Sequence, residues 1–295
     1  MNLNNLLRGQ DIDPKHVLVL RHRPKEPKLN KVLPWLAVEK PDLFNAYQKA
    51  QAERLEKAMQ AMTGVGYIAS FIGHVPGKAV FVGLYSIKGS EPLTYEEYWQ
   101  IPANKELKAF GMEWWKTREA SRSHVLWFNL TLTDFYSHWK GRLIVDWPGR
   151  ELAWWRRAHR KDIPIFAVLE DNALAGTMPE WNVIDLAWEE LRLLPTLWKL
   201  KLSEWRGIYY IFDASDGKGY VGSAYGKSNI LGRWESYATA GHGENRLLRK
   251  RDPRNFRFTI LQRVSPDMDP NEVIRLEGSW KQRLHTRAPQ GLNDN

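Results

Sequence analysis

Six residues near the C-terminal end have the types and order needed for phosphodiester chemistry: Tyr209, Tyr220, Arg233, Tyr237, Glu277 and Asn293. Hydrolysis of a phosphodiester needs a positioned water, a group that takes its proton, and cations facing the charged oxygens. Arg233 offers a permanently charged fork to a non-bridging oxygen. Glu277 can hold one Mg²⁺ or Mn²⁺ whose remaining ligands are water and phosphate. A tyrosine, with a free pKa of about 10, is a poor base unless positive charge stabilises its phenolate. Arg233, Lys218 or the metal ion could supply that charge. Taken singly, Glu277 reads better as a helix-surface glutamate, and Arg233 reads also as a surface ion-pair partner.

The elements that must position these residues are legible. Gly207–Phe212 and Tyr220–Ser223 are two β-rich runs around the Asp/Gly-rich stretch 213–219, which predicts a hairpin with Tyr209 and Tyr220 side by side. Residues 231–239 predict a helix that carries Arg233 and Tyr237 on one face at i and i+4. Residues 244–251 predict a basic helix, 255–264 a strand, and a longer helix starts at Asp269 or Pro270 and carries Glu277. Lys218, His242, Arg246, Arg249 and Lys250 are candidate DNA contacts. Residues 201–295 hold 16 Lys+Arg against 11 Asp+Glu, an excess that favours a phosphate-binding surface.

This order resembles the GIY-YIG nuclease superfamily. Gly207-Ile208-Tyr209 and Tyr220-Val221-Gly222 fit the two tripeptides, ten residues apart, and Arg233, Tyr237, Glu277 and Asn293 fit the later motif positions. The resemblance covers roughly the last 90 residues. It implies a single-metal phosphodiesterase in which Glu277 holds the ion and Tyr209 acts as the base or positions the water. Tyr220 completes the pocket, Arg233 stabilises the transition state and Asn293 orients groups of the site. His242 falls where some members carry a further histidine.

The rest of the chain reads as a separate recognition part. Val17–Leu20 predicts a first strand, followed by the basic run Arg21-His22-Arg23-Pro24-Lys25, either a phosphate contact or a solvated turn. Residues 41–62 predict a helix. Two apolar runs around Pro76-Gly77 predict a hairpin over 67–87, and further strands are expected at 125–132, 143–145 and 163–169. Residues 180–194, with Trp181, Ile184, Trp188 and Leu191 on one stripe, predict an amphipathic helix that Pro195 stops. The fold class is therefore α+β. A mostly antiparallel, barrel-like β domain with helices occupies 1–170, a helical linker 171–204, and a small three-stranded antiparallel sheet flanked by helices 205–295. The first part resembles the PUA/EVE class of β-barrel readers, which implies a pocket for a flipped, modified base. Trp114, Trp115, Trp127, Asp146, Trp147 and Trp154 are the candidate lining residues, although a single tryptophan in a small β domain more often fills the core.

The formal charge of +9 favours a polyanionic partner, double-stranded DNA in this reading. There are no cysteines, which excludes disulfides and Cys-based zinc sites and fits a cytoplasmic protein. No apolar run is long enough to span a bilayer, and the polar start is not a signal peptide. The leading expectation is a modification-dependent, type IV-like restriction endonuclease that detects modified cytosine in foreign or phage DNA. The alternatives are a sequence-specific restriction or homing-type enzyme, a structure-specific repair nuclease, and a non-catalytic nucleic-acid-binding protein. One site per chain implies that duplex cleavage takes a homodimer or two successive nicks.

Overall fold

The computed structural model describes residues 1–113, 122–147, 154–226, 229–240 and 245–294. The chain divides into two compact units, Met1–Gly176 and Thr177–Asn295. Both mix helices and strands, so the α+β class holds.

The first unit is built on a seven-stranded sheet that curls into a half-barrel. Its strands are β1 (Val17–His22), β2 (Tyr67–Gly73), β3 (Lys78–Leu93), β4 (Val125–Leu132), β5 (Leu143–Asp146), β6 (Trp155–Arg157) and β7 (Ile165–Val168). The path runs β6-β1-β2-β3-β5-β7, with β4 paired to the far part of β3. The one parallel pair among these ladders is β1–β2; the others are antiparallel. The expected hairpin over 67–87 is present as β2 and the start of β3.

Three expectations for this unit are corrected. A helix over Pro27–Glu39 was not anticipated; it starts on a proline, where the missing N–H costs nothing, and buries Leu29, Val32, Leu33 and Leu36. The helix expected over 41–62 is two helices, Pro41–Lys49 and Glu53–Gln60, because Ala50 leaves helical geometry to bridge Trp127. The basic run after β1 is not a surface patch throughout: β1 continues through Arg21 and His22, which are 3% and 4% exposed.

The second unit holds a four-stranded antiparallel sheet in the order β10-β9-β11-β8: β8 (Asp185–Ala187), β9 (Arg206–Asp213), β10 (Lys218–Ala224) and β11 (Phe256–Val264). The predicted hairpin and the strand over 255–264 are there, and the sheet has one strand more than expected. That strand comes from the stretch read as a helix over 180–194, which instead forms a short 3₁₀ turn, β8 and a single helical turn, Trp188–Leu191. Ile184, Leu186, Leu191 and Leu194 all enter the core, so the apolar stripe is real but its period is not helical. The basic helix expected over 244–251 is, in its described part, a 3₁₀ turn at Leu248–Lys250.

Each face of this sheet carries one helix that matters for the site. Asn229–Ala240 packs Ile230, Trp234 and Tyr237 against Tyr209, Ile211 and Tyr220. Pro270–Arg283, capped by Asp269, places Val273, Leu276 and Trp280 over Ile208 and Val221 on the opposite face.

Candidate active site

The alternation of side chains along β9 and β10 decides what meets what. The pairing aligns Tyr209 with Gly222 and Tyr220 with Ile211. The two tyrosines therefore share a face as diagonal neighbours rather than standing directly opposite, with ring centroids 6.5 Å apart. Gly222 is required by this register: a Cβ there would lie 2.4 Å from the Tyr209 hydroxyl. A Cβ on Gly207 would likewise lie 2.2 Å from the Gln262 carbonyl of β11, beside a register shift in that strand.

Tyr237 completes a triangle of phenols from its helix, 6.1 Å from the Tyr209 ring and 5.6 Å from the Tyr220 ring. The hydroxyls form one chain. Arg233 Nε donates to the Tyr209 oxygen at 3.3 Å, Tyr209 donates to Tyr237 at 3.2 Å, and Tyr237 donates to Tyr220 at 3.1 Å. Tyr209 and Tyr237 are wholly buried; Tyr220, 8% exposed, stands nearest solvent. Arg233 is exposed, and among the described residues none accepts from its terminal guanidinium nitrogens.

Burial, and then the neighbouring phenols, push the Tyr209 pKa well above the usual tyrosine value, while Arg233 pulls the other way. Burial raises Tyr220 too; Tyr237 and the Glu277 carboxylate add to the rise and Arg233 opposes it. Arg233 holds its own proton more tightly than usual, chiefly because Tyr209 lies beside it. The cluster is thus neutral at rest, with its positive charge at the outer end.

Glu277 approaches from the other face. The Ser223 hydroxyl, one residue beyond Gly222, donates to its Oε2, and Lys281 pairs with its Oε1 at 2.7 Å. The glutamate is 18% exposed and the lysine 7%. Ser223 and Lys281 were not singled out in the sequence; the i,i+4 Glu–Lys spacing was the available signal. Asn293, 1% exposed, pairs its side-chain amide with both backbone groups of Val221, accepting at 3.0 Å and donating at 2.8 Å. It therefore fixes the outer edge of β10 between Tyr220 and Gly222.

The candidate DNA contacts fall in different places. Lys218 and Lys250 line one cleft with Arg251. Arg246 is 81% exposed, 3.7 Å from Asp294, and Arg249 is exposed. His242 lies outside the described residues.

In the first unit, Trp114 and Trp115 also lie outside the described residues, and of the remaining pocket candidates Trp127 lies toward the other end of β3 from Asp146. Trp127, on β4, stands opposite Glu91 near the end of β3, whereas Asp146 pairs with Lys78 at its start. The Asp146 carboxylate is taken up by Lys78. Trp147 is 4% exposed, with the Arg21 and Arg156 guanidiniums 5.2 and 4.7 Å from its ring. Trp154 accepts from the Arg21 N–H at the β1 end.

No metal cluster of three or more His, Asp or Glu side chains exists among the described residues. No described helix is long and apolar enough to cross a membrane. The chain matches no family model and no curated protein. A solved structure, the catalytic domain of homing endonuclease I-TevI, is similar at 22% identity and a TM-score of 0.26, covering 30% of this chain and 98% of that one.

Proposed function

We propose that the chain is a metal-dependent DNA endonuclease whose active site is the second unit. The observation that carries this reading is the hydrogen-bonded run Arg233–Tyr209–Tyr237–Tyr220, joined through β10 to Glu277. Tyr209 accepts from Arg233 Nε and so aims the two terminal nitrogens outward, where they fit a non-bridging phosphate oxygen as a fork. The three phenols are joined in one chain of hydrogen bonds. Once the cluster has given up one proton to solvent, as Arg233 and a bound cation would favour, a Tyr220 phenolate would take the proton lost by the attacking water and become a neutral phenol again. The water oxygen bonds to phosphorus, the phosphorus–oxygen bond to the leaving group breaks, and the leaving oxygen takes a proton from solvent.

Glu277 is the residue that would hold a divalent ion. The donor chemistry fits: a hard ion such as Mg²⁺ keeps several waters and needs only one or two carboxylates. Bound there, such an ion supplies Lewis-acid stabilisation of charge on the phosphoryl oxygens. Ser223 orients the carboxylate, and Lys281 balances its charge in the metal-free chain. With one such site per chain, cutting both strands takes two chains or two successive nicks.

Of the candidate pocket residues, Trp127 lies toward the other end of β3 from Asp146, and Trp147 is 4% exposed with two guanidiniums beside its ring. Specificity for modified cytosine therefore stands as the finer arm of the same test. The purified chain is incubated with Mg²⁺ or Mn²⁺ and duplexes carrying cytosine, 5-methylcytosine, 5-hydroxymethylcytosine or its glucosylated form. Metal-dependent cutting that Glu277→Ala abolishes, with DNA binding retained, supports the nuclease; cutting of one modified duplex alone supports the reader. Equal cutting of all duplexes points to a sequence- or structure-directed nuclease. Binding without turnover under any metal refutes the catalytic reading.

A further inference from the structure

Beside the tyrosine cluster the second unit has a cleft of about 560 Å³ whose lining is split by character. Leu247, Pro289 and Leu292 make an apolar wall, and Lys218, Lys250 and Arg251 carry positive charge. The three cations are not equivalent. Arg251 is locked: it donates to Asp213 at 2.7 Å and grips Asp216 through two bonds of 2.8 Å. The carboxylate on the rim, Asp252, is held by Arg254. That leaves two ammonium groups. Lys218 gives one N–H to the Pro289 carbonyl at 3.0 Å, which sets its direction and leaves two protons to donate. Lys250 is exposed and has no acidic partner among the described residues.

Position gives the cleft its meaning. Lys218 precedes Tyr220 by two residues on β10, so both point to the same face, roughly 7 Å apart along the strand. The Leu292 N–H donates to the Gly219 carbonyl at 2.9 Å and ties the cleft wall to the same strand. A polyanionic strand whose phosphate lies at Arg233 and Tyr220 would therefore bring a neighbouring phosphate over Lys218.

We propose that this cleft is a subsite for one nucleotide of the substrate strand next to the scissile phosphate. Its phosphate lies between the Lys218 and Lys250 ammonium groups, and its sugar and base lie on the wall of Leu247, Pro289 and Leu292. Arg251 is structural and takes no part in holding the phosphate. The inference rests on the reading of the second unit as a DNA endonuclease, and its test is separable from that reading.

The test is the affinity of the full chain for a fluorescent duplex, without divalent metal, over 50–200 mM NaCl. A lysine that neutralises one phosphate contributes about 0.9 to the slope of log affinity against log salt. Lys218→Ala and Lys250→Ala should each lower the slope by that amount, which is about 3.5-fold in affinity across this salt range, and the double variant by twice as much. Lys250→Arg should keep the slope, and Lys201→Ala, on an exposed helix position away from the cleft, should leave it unchanged. Replacing the phosphate next to the cut position by a neutral methylphosphonate should weaken the wild type but not the double variant. An unchanged slope in the double variant, an equal loss in Lys201→Ala, or no salt-dependent binding by the wild type overturns the proposal. Cleavage with unaltered slopes would sink the subsite and leave the nuclease standing; altered slopes without cleavage under any metal would do the reverse.

Discussion

Lys281 should compete with the cation that Glu277 would hold. Its ammonium lies 2.7 Å from Glu277 Oε1, and a divalent ion on that oxygen at about 2.1 Å would stand at most about 4.8 Å from it. At that separation a double and a single charge repel by about 1.7 kcal/mol in bulk water and about 7 kcal/mol at an effective dielectric near 20. The water value is the lower bound of this range, and it sets the scale of the prediction. Replacing Lys281 by methionine keeps the stem's packing and removes the charge. The expected result is Mn²⁺ binding about 20-fold tighter than in the wild type, read by calorimetry or by the loss of the free-ion electron paramagnetic resonance signal, without DNA. Lys281→Arg should bind like the wild type. Affinity unchanged within about threefold in Lys281→Met, or weakened, would refute the competition and with it the placement of the metal at Glu277.

Two further outcomes follow from the buried polar groups. Tyr237→Phe removes the acceptor of the Tyr209 hydroxyl and the donor to Tyr220; leaving the wholly buried Tyr209 donor unsatisfied should cost about 1–3 kcal/mol in urea unfolding, and a loss below about 0.5 kcal/mol would mean that the hydroxyl chain is not formed. In the first unit, burial lowers the His22 pKa from 6.5 to about 4, with the Gln48 side chain pulling weakly upward. Because the folded value is the lower one, protonation favours the unfolded chain: this contribution is complete above pH 6.5 and is lost as pH falls toward 4, by up to about 3 kcal/mol. The difference between wild-type and His22→Leu stabilities across that window isolates it, and a flat difference curve would show that His22 is not buried in neutral form.

The sequence carried the second unit further than the first. Gly207–Phe212 and Tyr220–Ser223 around an Asp/Gly turn could form little other than a hairpin, and the one-sided spacing of Ile230, Trp234 and Tyr237 could form little other than a helix. What escaped was register and burial. The pairing of Asp213 with Lys218 leaves four residues in the turn, and this sets Tyr209 against Gly222 rather than Tyr220. A three-residue strand at Asp185–Ala187 lies inside a stripe whose apolar spacing imitates a helix, and only its ladder to β11 distinguishes the two. In the first unit, Pro24, Pro27 and Pro34 disguised a helix that uses one of them at its first position and another inside it. Glu277 and Lys281 have the spacing of any exposed helical ion pair; that the lysine is 7% exposed belongs to the packing of Trp280 and Leu276 against the sheet.

Strand β10 explains why these residues must act together. It is the outer strand of its sheet, and its alternation sorts the chemistry: Lys218, Tyr220 and Gly222 face the phenol cluster, while Val221 and Ser223 face the helix that carries Glu277. Its free edge is taken up by Asn293, whose amide occupies both backbone groups of Val221. A polar side chain spent on capping an edge prevents pairing with another strand, and here it also holds Tyr220 and Ser223 at fixed height on either side of the capped residue. The electrostatics reach across the same strand, since the Glu277 charge raises the Tyr220 pKa from the opposite face while Arg233 lowers it. Neutralising Glu277 with a cation would therefore weaken one of the charges that keep Tyr220 protonated. The Glu277 carboxylate and the Tyr220 phenol are thereby coupled across a single strand, with Arg233 as the opposing charge.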